Sequence, residues 1–132
     1  MKKRAIIYYR SNEENVFLEA ASFVERNDLT LIGEIGDERE EDNSDVGGFI
    51  DSLMYWIEEE EVEHVIVTSL LSLGRTVIEA IEVKNQLDSM DICLWLMHIN
   101  TRTINDDGTV NEISDLVFKK LKAYADFENG KQ

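Results

Sequence analysis

The chain has 132 residues and a formal net charge of −15, from 28 acidic against 13 basic side chains. A surface of that sign does not attract a phosphate backbone through its net field, so any nucleic-acid contact must come from a local basic patch or from another domain. A single cysteine rules out an internal disulfide framework and fits a reducing, cytoplasmic location, and no apolar run reaches the roughly 18 residues of a membrane span. The start, Met1-Lys2-Lys3-Arg4, is followed by only a short apolar run, Ala5 to Ile7, which is not a signal peptide. With 43% apolar residues the length supports one domain over residues 1–132 with its own core, and no separate DNA-binding domain is expected.

In chain order, Arg4 to Tyr9 reads as a strand. Ser11 and Glu14 have the spacing of a capping box, opening a helix to about Arg26 with an apolar stripe of Val16, Phe17, Ala20, Phe23 and Val24. Leu29 to Ile35 is a second strand, and Gly36 to Asp45 an acidic loop. Gly47-Gly48 leads into a second helix with Phe49, Ile50, Leu53, Met54, Trp56 and Ile57 on one side. Its last turn, Glu58 to Glu61, sets four carboxylates against the helix dipole and is expected to fray.

His64 to Val67 has the β-branched composition of a strand buried on both faces. A loop, Ser69 to Thr76, joins it to a helix with an apolar arc of Val77, Ile78, Ala80, Ile81, Val83 and Leu87. Asp91 to Met97 is the next strand and Asn105 to Gly108 a turn. The last helix, about Asn111 to Glu128, carries Ile113, Leu116, Val117, Leu121, Tyr124 and Phe127, more apolar surface than a small sheet needs. It also carries Lys119, Lys120 and Lys122, by default a solvated helix face. Alternating strands and helices predict an α/β fold, a mainly parallel sheet of four or five strands with helices on both faces and a long C-terminal helix.

Sites in such sheets lie in the loops beyond the carboxyl ends of the strands. Two arginines sit there, Arg10 after the first strand and Arg75 after the third, a pairing suited to a phosphate or another anion. Ser11 and Asn12 read first as helix caps. Cys93, Trp56 and Trp95 read as core, and His64 and His98 lack a second ligand at metal-binding spacing, so no metal or cofactor is expected.

Tyr8-Tyr9-Arg10-Ser11-Asn12, Leu70-Leu71-Ser72-Leu73-Gly74-Arg75 and Ala125-Asp126-Phe127-Glu128-Asn129 occur in that order and span nearly the whole chain. They resemble three anchors of the serine recombinase (resolvase/invertase) catalytic domain. These are a first strand ending Tyr-x-Arg-x-Ser, a Leu-Asp-Arg-Leu-Gly-Arg loop, and a long dimer helix ending near Ala-x-x-Glu-Arg. The resemblance implies that fold, pairing through the last helix as a homodimer or heterodimer, and a link to DNA recombination.

The departures fall on the chemistry. Asn12 stands at the nucleophilic serine position, with Ser11 one residue early; Leu71 and Ser72 replace the Asp and first Arg of the second anchor, and Val46 the Arg of an Asp-Arg-x-Gly pattern just before the second helix. Arg10 and Arg75 are the residual family positions. The family reaction attacks a phosphodiester with a serine hydroxyl while guanidinium groups stabilise the phosphoryl charge. A carboxamide cannot replace that nucleophile, and losing an electrostatic stabiliser costs a factor of ~10² to 10³. Ser11 substitutes only if its loop shifts by one residue, because neighbours on an extended segment point to opposite sides.

Three readings stay open. The chain is a catalytically inactive resolvase-like partner, an acidic protein-interaction module without a DNA role, or a fragment of an active recombinase using Ser11. In each, the chain alone binds DNA weakly or not at all, and no membrane contact is expected.

Overall fold

The run His64–Val67 forms a strand, β3, whose four residues are all buried, and the molecule is layered around it. The computed structural model describes residues 3–10, 16–37, 46–73 and 76–129. In chain order the elements are β1 (Lys3–Arg10), α1 (Val16–Arg26), β2 (Leu29–Asp37), α2 (Val46–Glu60), β3, a 3-10 turn (Leu70–Leu73), α3 (Val77–Ser89), β4 (Cys93–Leu96), a second 3-10 turn (Met97–Ile99), β5 (Thr101–Arg102) and α4 (Glu112–Asn129). The sheet order is β2-β1-β3-β4-β5, parallel except for the β4–β5 pair. The expected α/β architecture is therefore the observed one.

Strand alternation splits the core into two layers. Ala5 and Ile7 of β1, Ile66 of β3, and Cys93 and Trp95 of β4 pack on Val16, Ala20, Phe23 and Val24 of α1. Ile6, Tyr8, Val65, Val67, Leu94 and Leu96 face the other way, onto Leu53 of α2, Ala80, Ile81, Val83 and Leu87 of α3, and Phe118 of α4. One helix covers one face and three cover the other. The side chains of Phe17, Phe49 and Ile50, which the helical stripes include, lie outside the described residues, as do residues 38–45 of the acidic loop.

Several boundaries differ from the sequence reading, each for a local reason. The fourth strand is shorter than Asp91 to Met97. Asp91 takes a left-handed φ of 59° in the reversal after α3, and Met97 opens a 3-10 turn closed by Asn100 at φ 48°. That turn sends the chain back as the short antiparallel β5, a two-residue strand with no periodicity of its own to read. Gly47 and Gly48 lie within α2 rather than before it, and Val46 is its first residue. The Ser69 to Thr76 loop contains a 3-10 turn, and Thr76 caps α3 by accepting from the Glu79 N–H.

The carboxylate-rich end of α2 is held rather than frayed. Glu61 adopts φ 55° and the Val62 N–H returns to the Trp56 carbonyl, closing the helix end through a left-handed residue. Arg4 on β1 adds a cation where the dipole favours one: its Nε donates to the Glu60 carbonyl at 2.6 Å and Nη2 to the Glu60 carboxylate at 3.3 Å.

The apolar residues of α4 do not form a single face. Phe118 is buried, beside the buried polar Ser114, Val117 and Leu121 are half-buried, and Leu121 packs against the core. Ile113, Leu116, Tyr124 and Phe127 remain exposed, at 70%, 55%, 62% and 61%. At about 100° per residue they share one stripe with Lys120, beside the buried face.

His64 is the polar residue of β3, 4% exposed beneath Trp95, and its Nδ1 accepts from the Trp95 indole Nε1–H at 3.0 Å. Trp95 in turn meets Phe23 edge-on at 5.6 Å and carries the Arg102 guanidinium at 4.4 Å from its ring centre. Burial, then the charges of Lys3 and Arg102, hold the imidazole pKa down from 6.5 to about 4, against an opposing pull from Asp106.

Two predictions follow from this packing. The β1–β2 register slips between Ala5 and Ile6, which brings Gly33 opposite Ile6, and a Cβ at Gly33 would overlap the Trp56 indole. Gly33→Ala is expected to lower stability by about 1–3 kcal/mol through overpacking, measured by urea unfolding. For His64, the unfolded chain binds the proton first as pH falls. Native stability attributable to it is complete above pH 6.5 and lost on acidification toward pH 4, by roughly 3 kcal/mol. His64→Gln keeps an acceptor for Trp95 but does not titrate, so the wild-type-minus-variant stability difference should fall across that window.

Candidate functional site

The carboxyl ends of the parallel strands open on one edge of the sheet, where an α/β fold places its sites. β1 and β3 are neighbours there, in the register Ala5↔His64, Ile6↔Val65 and Ile7↔Ile66. The carboxyl ends of β1 and β3 therefore lie side by side. This brings the Leu70–Leu73 turn, the described part of the second anchor, close to β1, which carries the start of the first. Arg10 is the last residue of β1 and pairs in register with Asp37 at the end of β2. The Arg10 side chain, Ser11, Asn12 and Arg75 lie outside the described residues.

The described floor of this edge is closed and uncharged. Thr68 follows β3 directly, and its hydroxyl lies 2.8 Å from that of Ser72, with both residues about 95% buried. The Thr68 carbonyl accepts from the His98 N–H, tying the loop after β3 to the turn after β4. Leu73 is 1% exposed in the core. Position 72, where the resemblance expects an arginine, thus holds a small buried hydroxyl, and it presents no cation to solvent. Such a floor can position a backbone and accept hydrogen bonds, but it does not supply phosphoryl charge stabilisation. The two exposed groups near it, His98 and Glu19, approach to 3.8 Å. Among the described residues, no three His, Cys, Asp or Glu side chains are grouped to hold a metal ion.

A second concave region lies at the opposite, amino-terminal edge of the strands. It is an open cleft of about 880 Å³ lined by Lys3 and Arg4 of β1, His64 of β3, Cys93 of β4, and Arg102, Ile104 and Asp106 beyond it. Sequence reading did not find it. His64 was weighed there only as a metal ligand, Asp106 only as a turn residue, and Lys3 only as part of a basic start. The one available signal was the spacing of Arg102 and Asp106, four residues apart and oppositely charged, in a segment with no helical pattern to give that spacing meaning.

No protein-family model matches the sequence, and no curated protein sequence matches it. Solved structures do match its fold. The crystal structure of the N-terminal catalytic domain of TP901-1 integrase superposes with a TM-score of 0.72 at 20% identity, covering 98% of this chain and 99% of that one. A resolvase family site-specific recombinase from Streptococcus pneumoniae superposes with a TM-score of 0.70 at 19% identity, covering 98% of this chain and 90% of that one. At these identities the likeness is one of fold, and it extends from β1 through α4. The chain carries the resolvase-type catalytic-domain fold over nearly its whole length.

Proposed function

We propose that this chain is a recombination-related domain that does not cleave DNA and that acts as a structural or regulatory partner through α4, in the cytoplasm. The observation that carries this reading is the coincidence of fold and residue loss. The fold likeness covers 98% of the chain, yet Asn12, Leu71, Ser72 and Val46 stand where the resemblance requires a nucleophile and charged groups. Arg10 and Arg75 then act as a residual anion site rather than an active site. Pairing is supported by the exposed Ile113, Leu116, Tyr124 and Phe127, since an exposed apolar stripe of this length marks an interface. Lys120 within the stripe can lay its aliphatic stem along an apolar partner and keep its ammonium in water. A membrane is not needed to account for the stripe: among the described residues no helix is long and apolar enough to cross one.

The net charge of −15 favours a second reading, an acidic interaction module that occupies a basic surface on another protein. The two readings differ in whether the partner is a copy or relative of this chain.

Incubation with supercoiled and nicked DNA is expected to yield no covalent protein–DNA adduct, and duplex binding should be weak, unselective and steeply salt-sensitive. An adduct that disappears in Ser11→Ala would instead identify an active recombinase domain. Sedimentation should show association that strengthens from low to moderate salt, as repulsion between two acidic copies is screened. Leu116→Asp and Tyr124→Asp alter exposed positions, so each should keep the fold and lose the association. Leu121→Asp should lower stability as well, because Leu121 also packs against the core. A wild type that is monomeric at high concentration in both salts would exclude the homodimer and leave a heterologous partner.

A further inference from the structure

The cleft at the amino-terminal edge holds three features that belong together. Lys3 Nζ and Arg102 Nη1 converge on a single oxygen, Asp106 Oδ1, at 2.6 and 2.9 Å. Asp106 sits in the turn before Gly108 and its side chain is 76% exposed, so the carboxylate joining these cations is the loosest of the three groups. Its pKa is lowered by hydrogen bonds from Lys3 and then Arg102, the response of a carboxylate in a site suited to one.

One of the two cations is preorganised. Arg102 is 17% exposed, is stacked on Trp95, and donates its Nε to the Ile104 carbonyl. Removing the Asp106 carboxylate would leave two adjacent positive charges in a protein of net charge −15.

His64 supplies the third feature. Its Nδ1 accepts from Trp95, so the neutral ring carries its proton on Nε2. That N–H belongs to a side chain 4% exposed, and it has no acceptor among the described residues. His64 lines the cleft and Trp95, on its Nδ1 side, does not. A buried donor without an acceptor costs free energy, and a ligand that accepts from it recovers that cost. The remaining acidic lining residues, Glu61, Glu63 and Asp91, are solvent-exposed, and Arg4 is engaged with Glu60.

We propose that this cleft is a binding site for the oxyanion group of a small molecule, a carboxylate or a phosphate, which replaces Asp106 on Lys3 and Arg102 and accepts from His64 Nε2–H. The apolar wall of Ile57, Ile92 and Ile104 gives the rest of such a molecule a surface to cover, and the volume lies within the range of small-molecule sites. The site is independent of the carboxyl-terminal edge and of whether the chain acts in recombination.

The test uses the full chain labelled with nitrogen-15. Sodium phosphate and sodium acetate are titrated separately against sodium chloride of matched ionic strength near pH 7. The Trp95 indole N–H and the Gly108 amide report on the cleft, and the Trp56 indole is the internal control. Both reporters should shift saturably with at least one oxyanion and not with chloride. The arm that saturates at lower concentration identifies phosphate or carboxylate as the preferred group. Lys3→Gln should weaken that binding about tenfold, the loss of one charge-assisted hydrogen bond. Asp106→Asn, at an exposed position, should tighten it by removing the competing carboxylate. Reporters that move no more than in chloride would overturn the proposal. So would unchanged affinity in Lys3→Gln, or an Asp106→Asn variant that binds no tighter than wild type.

Discussion

The fold depends on one constraint: a strand with no solvent-facing side. Every residue of β3 is buried, so apolar cover is needed above and below it, and its backbone groups must be paired along both edges. Parallel neighbours β1 and β4 meet the second need, and their connections deliver helices to both faces to meet the first. Burying Val65, Ile66 and Val67 contributes about 1.5–3 kcal/mol each. His64 is the cost within that strand. It stays neutral, and its Nδ1 accepts a hydrogen bond that satisfies the Trp95 indole N–H at the boundary of the core.

The elements that follow from this constraint were legible in the sequence. The span of β3 was read to the residue, because four consecutive apolar or buried positions bounded by Glu63 and Thr68 leave little latitude. Helices α1 and α3 followed from their stripes. What escaped reading was set by three-dimensional contacts. The α2 terminus looked electrostatically poor until Arg4, more than fifty residues earlier in the chain, supplied the missing cation. β5 exists because Asn100 turns left-handed and Thr103 bonds back to Leu94, and neither is a periodic signal. In α4 the buried side chain is Phe118, which the stripe reading passed over, because a helix can carry two adjacent apolar arcs and sequence does not say which arc meets the sheet.

The site divides in the same way. The two anchor segments could be matched by residue type, and their described parts follow the neighbouring strands β1 and β3. The residue losses were equally visible, because a substitution at a chemically exacting position is a statement about atoms and needs no coordinates. The Lys3–Asp106–Arg102 group was invisible for the opposite reason. Lys3 and Asp106 are 103 residues apart, and no motif links them. The two edges of the sheet therefore differ in character: an uncharged described floor at one, and a charged cleft with a buried imidazole at the other.

The placement of Phe118 has a mechanical consequence for α4. Ser114 and Phe118 pin the first half of this 18-residue helix to the domain, and Leu121, one turn on, packs against the core. From Lys122 to Phe127 every position except Ala125 is exposed. A helix clamped at its root and exposed along its outer half behaves like a cantilever. Bending compliance is concentrated beyond Leu121, and amide protection should grade from root to tip. Any load on the outer half would bear on the root at Phe118, which packs in the same cluster as Ala80, Ile81, Val83 and Leu87 of α3.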